Sequence, residues 1–293
     1  MTFPNMIPGT SARPVPGRRV PVRPEYIGRM DGAADLKSEM TGVLRQAGAW
    51  QVGFADPGRG FEHVLPEYHP LEVWPDCRSI VVFAVPSSTE MNDTYLGPLA
   101  PWKDRELPFP VPGCVRSDEY ALCRLSRLVC SYVKLVCVEL LEYRGHRTSL
   151  RRIQYKPVAY EAGLGVYGRS GIVIHPELGS RLALGVVMTD AVIPPDSPLT
   201  GFDPCRGCSV CIESCPAGAY DPALDYPGSW SRETCTSTRT ALDSEGLYCN
   251  SCMTRCPAGS IPDDAILRTV RAVNAAYGRE GPDRSADPTP EDR

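Results

Sequence analysis

The sequence predicts an α/β domain over residues 29–200 and a smaller cysteine-ligated module over 201–277. Three observations predict this. Ser79-Ile-Val-Val-Phe-Ala-Val85 is a continuous apolar, β-branched run closed by Pro86, the pattern of a strand buried on both faces. From Ser117 to Tyr143 apolar residues recur at helical spacing. Eight of the thirteen cysteines fall between Cys205 and Cys256.

In chain order, residues 1–28 are rich in Pro and Arg and lack apolar periodicity, so they read as a flexible arm. A helix is expected from Asp35 to Gln46, with Leu36, Met40, Val43, Leu44 and Ala47 on one face and Gly48 ending it. Trp50–Phe54 reads as a short strand. The Pro- and Gly-containing segment 86–116 is either a lid over a binding site or a surface excursion. Ser117 can cap the long helix, and Asp118 and Glu119 suit its positive end. Leu122, Leu125, Val129, Val133, Val136 and Leu140 form its buried stripe. Cys123, Cys130 and Cys137 recur every seven residues there and read as small buried groups rather than a third metal site. Gly145 ends the helix, and Thr148–Gln154 reads as extended. Strands are expected at Ile172–Ile174 and Arg181–Thr189, joined by a turn through His175 and Gly179. A helix over Asp263–Ala276 and a disordered tail over 278–293 close the chain.

Hydrophobic residues make up 42% and charged residues 23% of the chain, ordinary for a globular protein. The net charge of −4 argues against general attraction to nucleic acid or an anionic membrane. No apolar run has the length of a membrane span. Arg18-Arg19 is followed by no apolar segment, which argues against an export signal. The cysteine content with no such signal fits a reducing, cytoplasmic setting.

The cysteines carry the strongest chemical signal. Cys205, Cys208, Cys211 and Cys215-Pro216 follow the C-x2-C-x2-C-x3-C-P run of bacterial ferredoxins, and Cys235, Cys249, Cys252 and Cys256-Pro257 form a second set. In such runs the fourth cysteine ligates the other cluster. One [4Fe–4S] cluster is therefore assigned to Cys205, Cys208, Cys211 and Cys256. The other is assigned to Cys215, Cys235, Cys249 and Cys252. Zinc sites use pairs of cysteines separated by a spacer rather than a continuous run of four, and thirteen cysteines cannot all form disulfides.

Between the long helix and the cysteines lie Gly163, Gly165, Gly168 and Gly171, four glycines in nine residues. They permit close approach of something flat or anionic to the backbone. They do not form a phosphate-binding fingerprint, because the strand–glycine–helix context is missing.

The stretch KPVAYEAGLGVYGRSGIVIHPELGSRLALGVVMTD followed by CRGCSVCIESCPAGAY resembles the cobalamin-dependent reductive dehalogenases and is similar to the epoxyqueuosine reductases, continuously over about residues 115–260. The resemblance implies an α+β nitroreductase-like core that binds base-off cobalamin, beside a ferredoxin-like domain with two [4Fe–4S] clusters that pass electrons to cobalt. By motif it places a proton-donating tyrosine at Tyr120 and its arginine neighbour at Arg169, with the cofactor against Gly163, Gly165, Gly168, Arg169 and Gly171. A phenol in the first turn of a helix, near a cation, has its proton loosened. The plain alternatives are a packed Tyr120 and a salt bridge from Arg169 to Glu161 or Asp190. The aspartate that epoxyqueuosine reductases carry before the AGLG element has no counterpart in Ser149–Pro157.

Together these readings predict an iron–sulfur reductase acting on a small or nucleoside-like substrate. It would draw electrons from a ferredoxin, flavodoxin or reductase, with no membrane or nucleic-acid partner. The alternatives are an electron-transfer protein without cobalamin and a redox-responsive binding protein.

Overall fold

The computed structural model describes residues 35–61, 64–87, 114–116, 125–224, 230–245 and 247–262. The expected arm, the 263–276 helix, the tail, most of the 86–116 segment, and Tyr120 and Cys123 lie outside these residues.

Helix α1 spans Leu36–Gln46, its first turn capped by the Asp35 carboxylate, which accepts the Lys37 N–H at 3.2 Å. Strand β1, Gln51–Ala55, follows and pairs antiparallel with β2, Ser79–Pro86. A single helical turn, α2 (Pro70–Val73), lies between them. All eight residues of β2 are buried, as the apolar run predicts. Its side chains alternate between two layers. Val81, Phe83 and Val85 join a cluster with Met40 and Leu44 of α1. Ile80, Val82 and Ala84 join a second cluster on the opposite face.

Beyond β3 (Cys114–Arg116), the long helix α3 is described over Leu125–Tyr143. Val129, Val133, Val136 and Leu140 are buried against α1 and the sheet, together with Cys130 and Cys137. Full burial of each such aliphatic side chain is worth roughly 1.5–3 kcal/mol. Buried Glu39 of α1 receives both arms of Arg144 just past α3, one at 3.0 Å and one at 2.5 Å, which locks the two helices together.

The expected extended segment after Gly145 narrows to β4, Thr148–Ser149. Residues 155–161 form a short helix, α4 (Tyr155–Glu161), which the sequence reading did not anticipate. Pro157 sits in its third position, and Val158, Ala159 and Ala162 supply the second core layer. Strands β5 (Val166–Tyr167) and β6 (Val173–Ile174) pair with each other, and the turn His175–Gly179 leads to β7, Leu182–Thr189.

The main sheet has the order β1-β2-β7-β4, entirely antiparallel. Helices α1 and α3 cover one face and α4 the other. Gly185 of β7 lies opposite Phe83, where any Cβ would strike the ring. A separate ribbon pairs β3 with β8, Leu247–Cys249, so that Cys114 and Cys249 are Cα partners. It ties the segment before α3 to the cysteine module.

Candidate iron–sulfur centre

The two cysteine runs fold alike because their spacing is alike. Helix α5 (Val210–Glu213) and helix α7 (Ser251–Thr254) each begin one residue before the middle cysteine, Cys211 or Cys252. The Ser251 hydroxyl of α7 donates to the Ser214 carbonyl at 2.8 Å and joins the two runs. Between them α6 (Arg232–Ser244) carries Cys235 and is largely exposed. The Ser231 hydroxyl accepts the Thr234 N–H at 3.3 Å at its start.

Burial and neighbouring thiols perturb the cysteines across the two runs. Burial raises the Cys211 thiol, and Cys205, Cys208 and Cys256 raise it further. Burial likewise raises Cys205, with Cys256 and Cys208 adding to it. Cys252 is pushed up to about 11 by burial, with Cys249 and Cys235 contributing. Cys215 and Cys252 both act on the Tyr220 phenol, whose ionisation burial strongly suppresses. Cys211 also acts on Cys252 and on Tyr220, so these neighbourhoods bring the two predicted sets, Cys205, Cys208, Cys211, Cys256 and Cys215, Cys235, Cys249, Cys252, to one region without separating them. Thiolates set this close need a shared cation to ionise, which iron supplies. Among the described residues no three Cys, His, Asp or Glu side chains close to the distances of a single bound ion. A buried polar atom without a hydrogen-bond partner, Ser214 Oγ, sits beside Cys215. A serine hydroxyl there can donate to cluster sulfur, so the donor set and its surroundings fit iron–sulfur clusters.

The turn Arg169–Gly171 reaches both sets. The Arg169 backbone N–H donates to Cys205 sulfur, and its guanidinium donates to the Cys208 carbonyl at 3.2 Å and the Pro222 carbonyl at 2.8 Å. The Ser170 carbonyl accepts the Tyr220 hydroxyl at 3.4 Å, and that same phenol hydrogen-bonds Cys252. The Gly171 carbonyl accepts Lys156 Nζ at 2.5 Å. Of the two carboxylates weighed as salt-bridge partners of Arg169, Glu161 pairs with Arg59 and Asp190 with Arg147. A cleft of about 410 Å³ opens here, lined by Tyr167, Gly168, Arg169, Asp203, Cys205, Arg206 and Gly207.

The glycines are required by the chain's own packing. A Cβ on Gly163 would meet the Ser197 carbonyl, one on Gly165 the Ile174 carbonyl, and one on Gly168 the Ile174 side chain at 2.8 Å. On the side a Cβ would take, these glycines meet the chain's own backbone and the Ile174 side chain, while Gly168 also lines the cleft. A glycine pattern reports close approach and not its partner.

A second glycine contact holds the cluster module. Gly179, at φ +61°, and Gly259, at φ +65°, touch backbone to backbone. Arg181 reinforces the contact with bonds to the carbonyls of Cys256 (3.0 Å), Ala258 (3.2 Å) and Gly259 (3.3 Å), and the Ser260 N–H reaches the Glu177 carbonyl at 2.8 Å. Sequence reading missed Tyr220, Lys156 and Arg181, because only their position in space distinguishes them. Cys77, Cys130 and Cys137 are buried away from this region, as expected for core residues. Among the described residues no helix is long and apolar enough to cross a membrane.

No protein-family model matches the chain. Epoxyqueuosine reductase of Bacillus cereus is 35% identical over 114 residues, which are 35% of this chain and 28% of that protein. Tetrachloroethene reductive dehalogenase of Desulfitobacterium hafniense is 32% identical over 119 residues, 34% of this chain and 21% of that protein. The matched stretch thus spans less than a third of either relative. Among solved structures, a B12-dependent reductive dehalogenase superposes with a TM-score of 0.58 at 20% identity, over 85% of this chain and 36% of the other. Epoxyqueuosine reductase with a tRNA stem loop superposes with a TM-score of 0.53 at 22% identity, over 76% and 65%. Relatives of both resembled kinds are therefore found, and the mixed α/β architecture is shared with both structures.

Proposed function

We propose that the chain is an iron–sulfur oxidoreductase whose two [4Fe–4S] clusters deliver electrons one at a time to a substrate reduced at the α/β domain. The observation that carries this reading is the Arg169–Gly171 turn, which bonds to Cys205 and the Cys208 carbonyl of one cysteine run and, through the Tyr220 hydroxyl, reaches Cys252 of the other. Cys205, Cys208, Cys211 and Cys256 would hold one cluster and Cys215, Cys235, Cys249 and Cys252 the other. The clusters supply one-electron transfer at low potential. The chain's own groups tune it. The Arg169 N–H and the Tyr220 hydroxyl each donate to a ligand sulfur, stabilising the more negative, reduced state. Arg169 and Arg181 fix the backbone that presents Cys208 and Cys256.

Reductase chemistry is supported by the names of the relatives, which act on an epoxyqueuosine and on tetrachloroethene. The cobalamin reading is supported by the solved B12-dependent neighbour. Within that reading Tyr120 and Arg169 keep the roles of proton donor and partner, but the glycine positions meet the chain on their Cβ side and no step is assigned to a corrin there. The alternative is an electron-transfer protein without cobalamin. Net charge gave the expectation against nucleic acid, and the tRNA-bound neighbour weakens it, so a nucleoside in RNA stands beside a small molecule as substrate class. The proposed setting is a reducing cytoplasm.

Anaerobic reconstitution followed by iron and sulfide analysis and visible spectra, with and without cobalamin, tests these readings. Two clusters per chain and a cobalamin spectrum altered by the protein are expected. Stoichiometric zinc without labile sulfide would overturn the iron–sulfur proposal. An unaltered cobalamin spectrum would leave the electron-transfer reading standing.

A further inference from the structure

Lys156 occupies a position that local physics disfavours. It sits in the first turn of α4, where the helix end is positive and no side chain caps it. Among the described residues no carboxylate forms an ion pair with it. Its ammonium is nevertheless held in place, donating to the Gly171 carbonyl at 2.5 Å and lying 5.9 Å from the centre of the Trp230 ring. Arg232 approaches the same indole at 5.5 Å, one turn of α6 before Cys235. Through the shared Trp230 ring and Arg232, one turn before Cys235, the ammonium lies at the second cysteine set, and the Cys252 and Cys235 sulfurs favour its charge while burial and Arg232 oppose it.

We propose that Lys156, seconded by Arg232, is a fixed positive charge that raises the reduction potential of the cluster held by Cys215, Cys235, Cys249 and Cys252. The inference rests on the iron–sulfur reading above. Reduction adds one negative charge to a cluster, and a nearby cation stabilises the reduced form more than the oxidised one. Lys156 acts through the field at the ligand sulfurs and is a positioning charge, not a catalytic group. It also links the cluster to α4, the helix that packs on the sheet, so the charge is set by the α/β domain.

The test uses the reconstituted full chain in redox titrations followed by electron paramagnetic resonance, with the second cluster's signal identified as the one changed by Cys235→Ser. Lys156→Met keeps the apolar stem and removes the charge. At a given potential it should lower the reduced-to-oxidised ratio of the second cluster about tenfold, 59 mV for a one-electron couple, and move the first cluster much less. Lys156→Arg should stay near wild type. Arg232→Gln, at an exposed position, should shift the same cluster in the same direction by a smaller amount. Unchanged potentials in Lys156→Met, or equal shifts in both clusters, overturn the inference alone. If Lys156→Met loses its iron, unchanged potentials in Arg232→Gln overturn it instead. A wild-type chain without labile sulfide overturns this inference and the iron–sulfur reading together.

Discussion

Replacing Gly179 with alanine would test whether the α/β domain positions the Cys256 ligand. Gly179 has φ +61°, and its missing Cβ is the space taken by the Ala258 carbonyl. The left-handed backbone costs alanine roughly 1–2 kcal/mol. The clash is with main chain, which no rotamer change relieves, so the 257–260 segment must retreat. One of the Arg181 bonds to Cys256, Ala258 or Gly259 is then lost, about 1.5–3 kcal/mol for a charge-assisted bond. The total, about 2.5–5 kcal/mol, is a large share of the 5–15 kcal/mol that holds a typical domain together. Gly218→Ala is the matched control. Gly218 has φ +58° but nothing within 4 Å of a built Cβ, so only the backbone cost applies. Iron and sulfide analysis with electron paramagnetic resonance should show Gly179→Ala losing the first cluster while keeping the second, and Gly218→Ala keeping both. If the two variants retain iron equally, the glycine contact does not position Cys256 and the reasoning fails.

Tyr220→Phe removes the hydroxyl that reaches Cys252 and should lower the second cluster's potential with iron retained; an unchanged potential in redox titration contradicts that role. Cys130→Ser should leave iron content unchanged, because Cys130 is buried in the layer between α3 and the sheet, and metal analysis checks it. His175 is held neutral. Its Nδ1 accepts the N–H groups of Glu177 and Leu178, Nε2 faces Gln51 at 2.6 Å, and burial drops its pKa to about 4. The unfolded chain therefore binds a proton that the folded chain refuses. This contribution is fully present above the usual histidine pKa of about 6.5 and is lost as pH falls toward 4, amounting to at most about 3 kcal/mol. Urea unfolding at several pH values should show this slope in wild type and a flatter one in His175→Gln; equal slopes would refute it.

Much of the fold was legible where the signal was local. The β2 run, the stripe of α3 and the helix from Asp35 to Gln46 each state their structure within a few residues, and the structure agrees. Helix α6 was not legible, since RETCTSTRTALDS is rich in poor helix formers and presents no apolar stripe, being largely solvent-facing. Helix α4 was hidden by Pro157 and by the glycines that follow it. The glycines themselves were read as room for a ligand, because sequence shows that a side chain is missing and not what fills the gap. The Lys156, Tyr220 and Arg181 contacts join residues far apart in the chain, and no spacing rule encodes them.

The β3–β8 ribbon gives the molecule an order of assembly. It has three residue pairs, too few to persist alone in water, and its last residue, Cys249, is a proposed cluster ligand. The main sheet closes without any cysteine ligand, whereas in the proposed iron–sulfur reading metal at Cys249 would secure the ribbon. A newly made chain would then pass through a stage with its sheet complete and its ribbon open, until iron delivery shut it. Iron supply would act as a checkpoint on tertiary structure, and starvation for iron would accumulate a half-finished protein that proteases nick at the open ribbon while leaving the sheet whole.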